Sequence, residues 1–137
     1  MEEIKIGDII VVNSLNSQGT CVGRHSFVVI DDQNGEVCSL AYDFIALLMS
    51  SFKDEEQKKK KLRFPGNFPI TAESESVKSG HGKDGFIKAE QFYYFNKEKT
   101  EYSVIGELKP ETLDSLIDFI NSLPSKHVTF ERIIDNL

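Results

Sequence analysis

Apolar positions along this chain fall into short blocks separated by polar turns, a pattern that predicts strands more often than helices. Ile4 to Val12 reads Ile-Lys-Ile-Gly-Asp-Ile-Ile-Val-Val, rich in β-branched residues that suit extended backbone. Asn13 to Gly23 is polar and holds two glycines. It predicts a loop of about ten residues, a length that in compact domains tends to carry function. Phe27-Val28-Val29-Ile30 predicts a buried strand, and the Asn34-Gly35 pair behind it is a hairpin signal. Val37 to Phe52 fits two patterns. Leu40, Phe44, Leu47 and Leu48 sit at helical spacing, but the neighbouring hairpin signal favours strands bent near Asp43, and strand is the assignment made.

The segment 53–61 places Glu55 four residues before Lys59 and Glu56 four before Lys60, the favourable orientation for helical ion pairs. A short exposed helix and a mobile charged insert both fit. Leu62 to Ile70 contains Pro65, Gly66 and Pro69 and reads as irregular, with a strand starting near Phe68. Residues 74–85 read as a flexible loop, rich in serine and glycine around Ser79 to Gly85. Phe86 to Phe95 predicts a strand pair and Tyr102 to Glu107 a further strand. Lys109 to Leu123 is the clearest helix. Pro110 suits its first turn, Leu113, Leu116, Ile117, Ile120 and Leu123 form one apolar stripe, and Pro124 ends it. Thr129 to Leu137 predicts a last short helix whose Phe130, Ile133, Ile134 and Leu137 need a partner surface. With no internal repeat and no domain boundary, residues 1–137 read as one domain. The expected class is α+β, mainly β: a small curled antiparallel sheet, closed as an SH3-like barrel, with the C-terminal amphipathic helix packed on it.

Composition adds limits. Hydrophobic content of 39% and charged content of 28% are ordinary for a soluble globular protein. No apolar run is long enough to span a bilayer, and Met1 to Lys5 lacks the basic-then-apolar layout of a secretion signal, so a cytoplasmic protein with no membrane partner is expected. Cys21 and Cys38 then read as two reduced, packed thiols, since no metal-binding spacing surrounds them. The net charge of −6 disfavours casual nucleic-acid binding, but it is uneven. Residues 1–52 carry −5, residues 53–88 carry +3 and residues 89–137 carry −4, so a polyanion would be steered to the middle of the chain.

Several motifs taken together resemble the PemK/MazF family of ribonuclease toxins, nearly end to end though each is weak alone. Ile6-Gly7-Asp8-Ile9-Ile10 resembles the family's opening "GDI" strand, and the polar loop to Gly23 resembles the first long loop that overhangs its active groove. Arg24-His25-Ser26-Phe27-Val28-Val29-Ile30 resembles the "RP-VVV" strand, and Leu48-Met49-Ser50-Ser51 the strand ending in Thr-Ser or Thr-Ala. Ala89-Glu90-Gln91-Phe92 with Asn96-Lys97 resembles "DQIRTIDK", and Ile105-Gly106-Glu107-Leu108 leads into the family's helix.

The resemblance implies an endoribonuclease that cuts single-stranded RNA with no metal and no cofactor. The 2′-hydroxyl attacks the adjacent phosphate and leaves a 2′,3′-cyclic phosphate and a free 5′-hydroxyl. The family uses an arginine at the head of the second strand and a threonine or serine at the end of the third. Aligning Val28-Val29-Ile30 with the family's valines puts His25 rather than Arg24 in the arginine column and Ser26 in place of the proline. Arg24 would grip phosphate as a permanent cation, whereas an imidazole at His25 would serve as acid or base. Because adjacent strand residues face opposite ways, a one-residue offset decides which of them reaches the groove. The implied catalytic set is therefore Arg24, His25 and Ser50. Ser51 and Gln91 would contact RNA, and Lys58, Lys59 and Lys60, with Lys61 and Arg63 beside them, would collect phosphates. The implied partners are single-stranded RNA, a second copy of the chain in a homodimer, and a cognate antitoxin peptide laid over the groove. Tyr93 and Tyr94 suit core packing better than base stacking, and His81 and His127 are assigned no role. The acidic balance and displaced arginine favour a different class, a non-catalytic barrel that binds nucleic acid or a peptide without cutting.

Overall fold

A computed structural model describes residues 3–17, 19–71, 75–77, 84–123 and 130–137. Along the chain run β1 (Asp8–Ser17), β2 (Thr20–Asp31), β3 (Gly35–Val37), β4 (Leu40–Tyr42), β5 (Phe44–Ser51), α1 (Glu55–Lys61) and β6 (Asn67–Ile70). They are followed by β7 (Glu75–Val77), β8 (Gly85–Lys88), β9 (Gln91–Phe95), β10 (Tyr102–Leu108), α2 (Pro110–Ser122) and β11 (Glu131–Ile133).

The main sheet has the order β11-β9-β5-β2-β1-β10-β7, with β8 also paired to β5 and β6 to β8. Its ladders are antiparallel apart from β11 on β9. The path ends at β7 and β11 without pairing them, so the sheet is open, and the chain belongs to the α+β class with β predominating. β5 serves two partners along one edge. Between the Met49↔Ile87 and Ala46↔Tyr93 pairs, β5 moves three residues while the opposing chain moves six, and the turn at Ala89 and Glu90, with Ala89 buried, takes up the difference. No helix among the described residues is long and apolar enough to cross a membrane.

Period-two alternation divides the central strands between two apolar clusters. One face carries Ile10, Val12, Phe27, Val29, Phe44, Ala46, Tyr93 and Phe95. Phe27 lies at its centre, edge-on to Tyr93 at 4.9 Å and to Phe95 at 5.2 Å between ring centres. The other face carries Ile9, Val28, Leu47, Met49 and Ile87 and is covered by α2 through Leu113, Leu116, Phe119, Ile120 and Leu123. Leu116 is fully buried, and withdrawing such a side chain from water contributes roughly 1.5–3 kcal/mol. Lys109, in extended conformation and with no side-chain cap, precedes Pro110 in the first helical turn, where the missing N–H costs nothing. The helical face is turned slightly from the expected stripe. Phe119 packs on Phe68 at 5.2 Å, while Ile117 remains 37% exposed.

Strand over most of 37–52, the break at Asp43, the charged helix at 55–61 and the strand near Phe68 all appear. Asp43 holds the break by donating its N–H to the Phe95 carbonyl and accepting the Lys97 N–H on its carboxylate, each at 2.8 Å. Four expectations are corrected. Asn13 to Gly23 is no free loop, because β1 and β2 continue through it as a hairpin arm. Leu15 anchors that arm in the core, and Gly19 and Gly23, at φ of 79° and 87°, permit its irregular register. The Asn34-Gly35 pair does not form the hairpin turn. The turn between β3 and β4 is Cys38-Ser39, whose φ values of 51° and 66° give the two left-handed positions such a turn requires. The predicted C-terminal helix is instead β11, parallel to β9. Its apolar residues find separate partners, Phe130 stacking on Phe92 at 5.0 Å, Ile133 in the Phe27 cluster, and Ile134 and Leu137 against Tyr94. Cys21 and Cys38 are free but exposed rather than packed. Of the predicted 74–85 loop, β7, Asp84 and Gly85 are described, and 74 and 78–83 lie outside the described residues, as do His81 and His127.

Candidate functional site

Along the α2-covered face, β2 presents Arg24, Ser26, Val28 and Ile30 in turn, while β5 presents Leu47, Met49 and Ser51. Both strands therefore change from apolar to polar at the same end. Ladder pairing fixes the alignment, with Ser26 opposite Val11 on one side and Met49 on the other. Where the face turns polar, Val11, Arg24, His25, Ser26, Met49, Ser51 and Ile105 line a concavity of about 330 Å³. Met49 and Ile105 also belong to the cluster under α2, so the polar residues rest on packed hydrophobic ground. Among the described residues no acidic side chain lines this concavity, and Arg24 is exposed. A guanidinium and two hydroxyls suit an anion with tetrahedral oxygens.

Arg24 and His25 do not play equivalent parts. His25 shares the parity of Phe27 and lies opposite Val12, on the other face of the sheet, and reaches the concavity only at its rim. Its Nε2 lies 3.3 Å from the Val22 carbonyl. A carbonyl only accepts, so in this contact Nε2 is the donor. The expected offset thus falls in favour of Arg24 as the side chain facing the concavity.

The serines separate in the same way. Ser51 lines the concavity, whereas Ser50 has the parity of Ala46 and Leu48 and is not among its lining residues. Gly85 closes in on this point from β8, so near the Ser50 carbonyl that a Cβ there would collide with it. Gln91 starts β9, on the edge of β5 opposite to β2, where it pairs with Glu131. It has the parity of Tyr93 and Phe95 and does not line the concavity. Tyr93 and Tyr94 are both core residues. Burial first, then the nearby Glu131 and Asp135 carboxylates, push the Tyr93 hydroxyl above its ordinary pKa.

The lysines of α1 also diverge. Lys58 places its Nζ 5.9 Å above the Phe52 ring, and Lys59 lines neither the concavity nor a second, larger hollow beside α1. That hollow, of about 670 Å³, is lined by Lys53, Asp54, Glu56, Gln57, Lys60, Lys61, Arg63 and Phe64. Asp54 caps the helix by accepting the Gln57 N–H at 2.8 Å, and Glu56 meets Lys60 at 3.8 Å. Phe64 is 60% exposed. The signal for it was an aromatic ring directly after the run Lys58 to Arg63, a spacing that marks basic patches interleaved with stacking surfaces.

Among the described residues no three His, Cys, Asp or Glu side chains are grouped to hold a metal ion. No protein-family model matches the chain, and no curated protein matches it.

Proposed function

We propose that this protein is a metal-independent endoribonuclease of the PemK/MazF type, its open sheet being an SH3-like barrel in form and its substrate single-stranded RNA. The observation that carries the reading is the concavity in which Arg24, Ser26 and Ser51 stand together, with no acidic residue among the described lining. Arg24 clamps the scissile phosphate and stabilises the charge that builds on it as phosphorus becomes five-coordinate. Ser51 and Ser26 donate hydrogen bonds to its non-bridging oxygens. His25, at the rim, takes the 2′-hydroxyl proton as that oxygen bonds to phosphorus. The bond to the 5′-oxygen then breaks, and that oxygen takes a proton from solvent water to leave as a hydroxyl while His25 returns its proton to solvent. A homodimer and a peptide antitoxin lying over the concavity complete the proposal.

Incubation with mixed-sequence RNA in excess EDTA tests it. Cleavage to 2′,3′-cyclic phosphate ends, lost in Arg24→Ala, is the expected result. Intact RNA at all protein concentrations would remove the reading. One observation favours the non-catalytic alternative, namely that His25 has the parity of the core face and its Nε2 is engaged with the Val22 carbonyl at 3.3 Å. In that case Arg24→Ala weakens binding of RNA that is never cut.

A further inference from the structure

The two hollows are joined by the chain itself. Ser51 lines the concavity and Lys53 lines the hollow beside α1, two residues on, or about 7 Å in extended chain. Phe52 stands between them, half-buried, stacked on Phe86 at 5.3 Å and overlaid by the Lys58 ammonium.

The larger hollow is positive within a negative molecule. Lys53, Lys60, Lys61 and Arg63 face Asp54 and Glu56, in a chain whose net charge is −6. The two acids are already engaged, Asp54 by the helix N-terminus and Glu56 by Lys60. Lys53, Lys61 and Arg63 form no ion pair among the described residues. Phe64 lines the same hollow and is 60% exposed, so its ring is open to a stacking partner beside these charges. Cations spaced around an exposed aromatic ring suit a strand that offers phosphates and unpaired bases alternately.

We infer that the hollow beside α1 is a second binding site for single-stranded RNA, continuous with the Arg24–Ser51 concavity across Phe52. A base stacks on Phe64, and Lys61 and Arg63 take the flanking phosphates. The identity of the polyanion rests on the nuclease reading; the site itself does not, because it is built from different residues.

The probe is a fluorescent, fully 2′-O-methylated single strand of about 12 nucleotides, within the range of single-strand site sizes. It has no nucleophile and cannot be cut, so binding is read apart from cleavage. Phe64→Ala weakens binding roughly 5- to 150-fold. Arg63→Ala lowers the dependence of log affinity on log salt by about 0.7, the contribution of one phosphate contact. Both residues are exposed, and circular dichroism verifies that each variant folds. Unchanged affinity in Phe64→Ala together with an unchanged salt slope in Arg63→Ala would overturn the inference. Polyglutamate competing as well as the RNA strand, with Phe64→Ala indifferent to both, would also overturn it and mark the surface as a dock for acidic protein. If wild-type protein cuts no RNA yet binds the methylated strand through Phe64, the nuclease reading fails while this site stands.

Discussion

The two faces of β2 and β5 meet at one rung of the sheet and do opposite things there. On one face, Phe27, Leu48 and Ala46 lead past His25 and Ser50 into aromatic packing. On the other, Val28 and Leu47 give way to Arg24, Ser26 and Ser51 around an open hollow. One residue of offset separates a core position from a surface able to hold phosphate, because alternation in a strand has no intermediate setting. The lesson is that adjacent residues with equally suitable chemistry, Arg24 with His25 or Ser50 with Ser51, are told apart by parity alone.

The largest expected effect sets the core face against its neighbour. Phe27→Ala loses about 3–5 kcal/mol of stability in urea denaturation, as truncation of a buried aromatic does, whereas Ser26→Ala, one residue away, stays within about 0.5 kcal/mol. Equal effects would mean that alternation fails at this rung. Next comes Arg24→Ala, for which RNA cleavage falls roughly 10²- to 10³-fold at unchanged stability, the cost of one donor aimed at transition-state charge. A smaller effect divides the serines. Ser51→Ala lowers cleavage about 10- to 150-fold, corresponding to about 1.5–3 kcal/mol for a hydrogen bond to a charged group. Ser50→Ala remains near wild type in the same assay.

Much of the fold was legible in the sequence, and so was part of the site. The β-branched runs, the break at Asp43 and the Pro110 helix start could be read because each rests on local chemistry. The C-terminal strand could not. Phe130, Ile133, Ile134 and Leu137 suit a helical stripe equally well, and only the free edge of β9 makes extended pairing the better arrangement. The Gly19–Gly23 arm was hidden for a similar reason, since its pairing depends on Leu15 reaching a core that polar neighbours do not announce. At the site, the residue types pointed to positions 24–26 and 50–51, but parity had to come from the ladder. Gln91 was drawn in by motif likeness, and the order β9-β5-β2 puts a whole strand between it and Arg24.

The smallest prediction concerns the core face at high pH. The folded Tyr93 hydroxyl holds its proton to a higher pH than the ordinary value of 10.0. Its contribution is full below that value and declines as pH rises from there through the raised folded pKa, because the unfolded chain ionises first. Urea denaturation of wild type between neutral pH and strong alkali should show this decline, and Tyr93→Phe should flatten it. An unchanged alkaline slope in Tyr93→Phe would assign the decline to other groups.

The central claim is that Arg24 and Ser51, not Ser50, hold the phosphate, with His25 at the rim. A double-mutant cycle on Arg24→Ala and Ser51→Ala, read as metal-free RNA cleavage rate, tests it most directly. The account predicts that the double variant loses clearly less than the two single losses combined, because both residues act on one phosphate. The same cycle on Arg24→Ala and Ser50→Ala should be simply additive. Coupling of Arg24 to Ser50 with none to Ser51 would contradict the account.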